Sequence, residues 1–221
     1  MPTPSIHYFY SVRSSFTYLG AARLTAIAKA YGATIVHRPM DLVAVVVGHS
    51  SIEGQQPTDR AHAGARVFET SPMRERYTRI EYRRWSEHLD IPINPDPSHH
   101  YGTRELPSGA VIVAQRRGLD ADGLSHAILE ALWRDDRDIA DPAVIGALAA
   151  EVGLGLDGPC LVDEARAAPA QAELAANTAM ALEHGVFGSL TYVFNGEPFF
   201  GQYRLDFLER AIARMREASP S

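Results

Sequence analysis

Thiols are almost missing from this chain: its 221 residues include one cysteine, Cys160. A disulfide framework, a C-x-x-C redox centre and a cysteine-based metal site are excluded within one chain. Cys160 itself follows Gly158 and Pro159 and reads as a structural thiol. Lysine is as scarce, since Lys29 is the only one among 21 basic residues, so few lysines are available to bind an anion. No apolar run approaches the ~20 residues of a membrane span, and the first residues lack a basic segment followed by an apolar one. A cytoplasmic protein without a membrane partner is expected. Positive charge is in deficit too, with a formal net charge of -6. The one basic cluster, Arg74, Arg76, Arg79, Arg83 and Arg84, is interleaved with Glu75, Glu81 and Glu87. That pattern reads as a solvated helix face, and nucleic acid is not an expected partner.

What is present is a βαβ unit. Ile6 to Val12 is rich in β-branched and aromatic residues and predicts a strand. From Ser15 the spacing of Phe16, Leu19, Leu24 and Ile27 predicts a helix that ends near Tyr31 and Gly32. Ala33 to Pro39 predicts a second strand, parallel to the first because such crossovers are right-handed. The chain is loop-like after Val47, up to Asp59. Between Arg60 and His184 only helical segments are predicted. Ser71-Pro72 opens one with a stripe of Met73, Tyr77, Ile80 and Trp85 read as core; others run over Ser108–Arg117 and Leu124–Asp138, and from Asp141, Pro159 and Pro169. Ser189 to Phe194 and Pro198 to Phe200 then predict a hairpin about Asn195-Gly196, before a last amphipathic helix striped by Leu205, Leu208, Ile212 and Met215. The expected fold is α/β: a thioredoxin-like domain from 1–59 and 185–221, split by a helical insertion at 60–184.

Chemistry is expected at the first strand-to-helix turn, where Ser14, Ser15 and Thr17 sit at a helix N-terminus. A serine hydrolase is disfavoured, because no G-x-S-x-G flanks either serine and none of the nine histidines has a selecting spacing. No metal site is expected either: His99-His100 are adjacent, and no H-x-x-x-H pair exists. In a thioredoxin-like domain this turn holds C-x-x-C, and Ser14, Ser15, Phe16 and Thr17 occupy the aligned positions. A serine there cannot exchange disulfides. It can either donate a hydrogen bond to a thiolate or simply cap the helix.

The segment Tyr10-Ser11-Val12-Arg13-Ser14-Ser15-Phe16-Thr17-Tyr18-Leu19 is similar to an F-D-F-x-S-P-x-S-Y-L turn. Gly185-Val186-Phe187-Gly188-Ser189-Leu190-Thr191-Tyr192 and Phe199-Phe200-Gly201-Gln202-Tyr203-Arg204-Leu205-Asp206 are similar to G-V-F-G-V-P-T-F and F-W-G-Q-D-R-L-D. With these motifs the chain resembles the 2-hydroxychromene-2-carboxylate isomerases, relatives of kappa-class glutathione transferases and of DsbA oxidoreductases. The resemblance implies a glutathione-dependent isomerase or transferase acting on a small aromatic substrate, and a homodimer. It implies Ser14 as the catalytic thiolate partner, with Ser14, Phe16, Ser189, Leu190, Gln202 and Tyr203 around glutathione. Leu190 stands where the family has a cis-proline, so the Ser189–Leu190 peptide is either cis or trans. Tyr203 stands where the family has an aspartate, and its lysine after the second strand is missing. A thioredoxin-fold protein that binds a small ligand without glutathione chemistry is the alternative.

Overall fold

The computed structural model of the chain describes residues 3–50 and 71–217. Strand β1 (Ser5–Tyr10) leads through helix α1 (Ser15–Tyr31) into β2 (Thr34–Pro39), which lies parallel to β1 with Ser5 opposite Thr34 and Tyr10 opposite Pro39. Far along the chain β3 (Thr191–Phe194) pairs antiparallel with β1, and β4 (Glu197–Phe200) antiparallel with β3. The sheet order is β2-β1-β3-β4. Asn195 and Gly196 join the last two strands with φ of 51° and 82°, the left-handed pair that a two-residue hairpin requires.

Between β2 and β3 the described residues form helices only: α2 (Leu42–Ser50), α3 (Pro72–Leu89), α4 (Glu105–Arg116), α5 (Ala121–Trp133), α6 (Pro142–Glu151), α7 (Gly158–Arg166) and α8 (Ala168–Glu183). A 3-10 turn (Gln202–Arg204) and α9 (Leu205–Glu217) follow β4. Ser71, Asp120, Asp141 and Asp157 cap α3, α5, α6 and α7, each side chain accepting a first-turn N–H. Among the described residues no helix is long and apolar enough to cross a membrane.

Alternation along β1 divides the core. Tyr8 and Tyr10 face α1 and the helical segment in one large cluster, which also takes in Tyr192, Leu124, Ile128 and Trp133. Phe9 faces the other way, onto Val193, Met40, Val45, Ala181 and Val186. One buried cluster therefore runs from the sheet into the helices and fixes them against the β1–α1 turn.

Several element bounds differ from the sequence reading, for tertiary reasons. Helix α2 continues past Val47 to Ser50, because Gly48 packs on Leu182 and His49 Nε2 meets the Val186 carbonyl at 2.9 Å. The rest of the expected loop, 51–59, and the boundary at 59/60 lie outside the described residues. Helix α4 starts at Glu105, with Pro107 tolerated in its first turn. Helix α5 stops at Trp133: Asp136 takes φ 53°, and its carboxylate accepts the Ser98 N–H and Oγ. Met73 and Tyr77 of α3 are exposed, not core. Only the C-terminal half of α3 docks, through Tyr82, Trp85 and Leu89.

Candidate functional site

Where β1 ends, the chain turns back at Ser14, whose N–H donates to the Ser11 carbonyl at 3.0 Å. Ser14 has extended backbone angles, φ -82° and ψ 123°, and its Oγ accepts the Thr17 N–H at 3.3 Å. It is thus the N-cap of α1. Capping uses a lone pair and leaves the hydroxyl proton unengaged, so a cap and a hydrogen-bond donor coexist in one side chain. The Ser15 and Phe16 N–H groups have no acceptor among the described residues. The half-buried Ser14 hydroxyl therefore stands beside two open N–H groups at the positive end of a 17-residue helix.

Ser189, about 170 positions along the chain, closes the other side. Its Oγ accepts the Ser11 N–H at 2.9 Å and lies 3.3 Å from Thr17 Oγ1. The Ser189–Leu190 peptide is cis. Leu190 is buried, and its carbonyl accepts the Gly201 N–H at 2.9 Å, tying the end of β4 to the same corner. Neither the N–H nor the carbonyl of Ser189 joins a ladder, turn or cap among the described residues. Ser14, Phe16, Ser189 and Leu190 are thus brought together. Gln202 and Tyr203 are not placed alike. Gln202 is wholly buried, its amide nitrogen and oxygen without partners among the described residues, beside Gly20, where a Cβ would lie 2.7 Å from Gln202 Cβ and 3.1 Å from the Tyr192 hydroxyl. Tyr203 is exposed and lines a groove between β4 and α9.

The residues that sequence reasoning missed are Arg13 on the turn itself and three from the helical segment, Tyr82, Trp133 and His100. Arg13 is buried, and its guanidinium donates to the carbonyls of His99 (2.6 Å), His100 (2.9 Å) and Thr103 (2.6 and 3.1 Å), clamping the 97–103 loop against the turn. Burial holds its pKa below the ordinary arginine value, with Asp138 acting in the opposite sense. Ser15 Oγ donates to the Tyr82 hydroxyl at 2.9 Å. Phe16, Tyr82, Trp133 and His100 form a run of rings with successive centroids 5.8, 5.8 and 5.0 Å apart. Burial and the nearby Arg13 charge hold His100 below the ordinary histidine pKa, and burial pushes the Tyr82 phenol up. Arg13 adjoins the turn in sequence, but nothing local marks Tyr82, Trp133 or His100 as its neighbours.

A second polar chain lies beneath. Asp122 Oδ1 is 2.9 Å from His37 Nε2, His37 Nδ1 is 2.9 Å from the Tyr10 hydroxyl, and that hydroxyl is 2.8 Å from Ser125 Oγ. It has the composition of a hydrolytic relay, but Tyr10 and Ser125 are buried and Ser14 is not part of it, so it joins β1 and β2 to α5. Among the described residues no group of three or more His, Cys, Asp or Glu side chains is placed to hold a metal ion. His99 instead sits 3.9 Å from Asp138.

Comparison with known proteins bears on the family and the fold. The chain is 25% identical over 208 residues to a 2-hydroxychromene-2-carboxylate isomerase of Sphingobium xenophagum, covering 94% of this chain and 97% of that protein. A solved 2-hydroxychromene-2-carboxylate isomerase superposes with a TM-score of 0.73 at 21% identity, over 98% of this chain and 100% of its own. The cytosolic disulfide reductase DsbM of Pseudomonas aeruginosa, solved with GSH, gives 0.65 at 19%, over 97% and 100%. The family model described as a DSBA-like thioredoxin domain matches residues 5–213, essentially the whole βαβ unit, helical segment, hairpin and last helix, and the chain belongs to that family.

Proposed function

We propose that the chain is an isomerase, or a related transferase, that acts with glutathione on small aromatic substrates of the 2-hydroxychromene-2-carboxylate type. One observation carries the reading: Ser14 replaces a thioredoxin-fold thiol with a hydroxyl whose proton, among the described residues, meets no acceptor, beside Ser15 and Phe16 N–H groups that are unpaired among them as well. The names borne by the curated relatives support it, as does the presence of GSH with a disulfide reductase of the same fold. Disulfide chemistry itself is closed to a turn that carries Ser14 and Thr17 in place of two thiols.

The residues present fit glutathione. The backbone N–H and carbonyl of Ser189, open among the described residues, suit pairing with an extended cysteinyl unit. Glutathione, when bound, would supply a thiolate able to add reversibly to a conjugated substrate, so that a double bond becomes single and rotates. Ser14 then donates its O–H to the anionic sulfur, the Ser15 and Phe16 N–H groups add to that field, and all three favour the ionised form. The half-buried Phe16, Tyr82 and His100 rings, tilted against one another and backed by the buried Trp133, offer apolar edges and faces to an aromatic ring, and a neutral His100 keeps that lining uncharged near neutral pH. Gln202 contributes backbone only, since its side chain is turned into the core.

Calorimetric titration with glutathione, followed by thiolate absorbance near neutral pH, tests the reading. Binding with a thiolate signal that Ser14→Ala abolishes, while circular dichroism stays native, is the expected result. Absence of binding at millimolar glutathione sinks the glutathione-dependent reading and leaves the small-ligand alternative.

A further inference from the structure

The groove between β4 and α9, whose lining includes none of Ser14, Phe16, Ser189 and Leu190, has a chemistry of its own. It encloses about 670 Å³, within the range of small-ligand sites. Three of the six large exposed apolar side chains among the described residues, Phe187, Tyr203 and Phe207, line it. Phe187 packs on Phe200 with centroids 4.7 Å apart, so the floor is aromatic. Arg204, Arg210 and Arg214 line it as well. Phe207, Arg210 and Arg214 lie at i, i+3 and i+7 on α9 and share one helix face. The Arg204 guanidinium lies 5.0 Å from the Tyr203 ring and 5.7 Å from that of Phe207; Arg210 lies 5.7 Å from Phe207. None of the three guanidiniums has a carboxylate within ion-pair distance among the described residues, and Glu197 is the only acidic residue in the lining. In a chain of net charge -6, this is a concentration of uncompensated positive charge over aromatic rings.

We propose that this groove binds a planar aromatic carboxylate. Stacked rings favour a flat apolar ligand, and the guanidinium fork matches a carboxylate. Two other occupants fit less well. A peptide strand would add along β4, the sheet edge, but Phe194 opposes Glu197 at the hairpin end, so Pro198 in the next position directs its backbone outward. Pro198 has no N–H, and the edge is blunted where a strand would pair. A second copy of the chain, docked about a two-fold axis, would bring three unpaired arginines against their own images with one Glu197 on each side to offset them.

The test titrates 2-naphthoate into the full chain by calorimetry. Saturable binding is expected, weakened about tenfold or more by Arg210→Gln with Arg214→Gln, and weaker by a similar factor for uncharged 2-naphthylmethanol. Both arginines are exposed, so the variant should fold, and a native melting curve confirms it. Binding must persist in Ser14→Ala, which separates this groove from the glutathione corner whatever the fate of that reading. No saturable binding at millimolar 2-naphthoate, binding unchanged in the double variant, or binding lost in Ser14→Ala overturns the proposal. So does sedimentation showing a dimer that Phe207→Glu dissociates, because a second copy would then cover the groove.

Discussion

Removing the Arg13 guanidinium tests how the helical segment is held to the reactive turn. The side chain makes four hydrogen bonds to three carbonyls of the 99–103 segment, and the residue is 8% exposed. A hydrogen bond from a charged donor contributes roughly 1.5 kcal/mol at the low end, so three carbonyls losing their partners cost about 4–5 kcal/mol. Part of this returns, because a buried guanidinium no longer has to be desolvated. The net loss for Arg13→Met is then about 3 kcal/mol. For a domain of this size each kcal/mol moves the melting temperature by roughly 2–4 °C, which gives a fall of about 6–12 °C by calorimetry. Arg13→Lys keeps the charge, but a compact ammonium cannot span three carbonyls and should recover about half the loss at best. His100 rides on the clamped loop against Trp133, so in a Trp85→Phe background the Trp133 fluorescence should shift in Arg13→Met. A melting temperature within about 1 °C of the parent, or full rescue by lysine, would refute the clamp.

Three further outcomes follow from the same geometry. Burial holds His7 and His100 below the ordinary histidine pKa, so the unfolded chain binds more protons once pH drops below about 6.5. Stability should therefore fall on acidification from that point, and a His100→Gln variant should show a flatter melting profile between about pH 5 and 7; an equal slope in both chains would exclude His100 as a contributor. Gly20→Ala places a Cβ 2.7 Å from Gln202 Cβ, and should destabilise by roughly 1–3 kcal/mol in urea titration while pushing the 3-10 turn off α1. Tyr82→Phe leaves Ser15 Oγ without its partner and should cost about 1 kcal/mol by the same assay; a neutral result would mean that water replaces the phenol fully.

The sequence by itself determined the elements that depend on local chemistry. The βαβ unit, the Asn195-Gly196 hairpin and the Ser71-Pro72 helix start were legible because spacing, left-handed turn residues and caps act within a few positions. Ser14 and Thr17 in place of thiols were legible too, since the loss of C-x-x-C needs no coordinates. Element ends went astray where distant partners set them. Ser98 binds Asp136 at the end of α5, Leu182 and Val186 hold the last turn of α2, and only half of α3 docks, leaving Met73 and Tyr77 in solvent. Tertiary structure alone decided the site's surroundings. It made the Ser189–Leu190 peptide cis, turned Gln202 inward and Tyr203 onto the β4–α9 groove, and drew Arg13, Tyr82, Trp133 and His100 around the turn. The reason is range: a cap or a turn is satisfied by neighbours in the chain, whereas burial, orphaned polar groups and ring contacts depend on segments up to about 180 residues apart that meet only after the sheet and helices share one core.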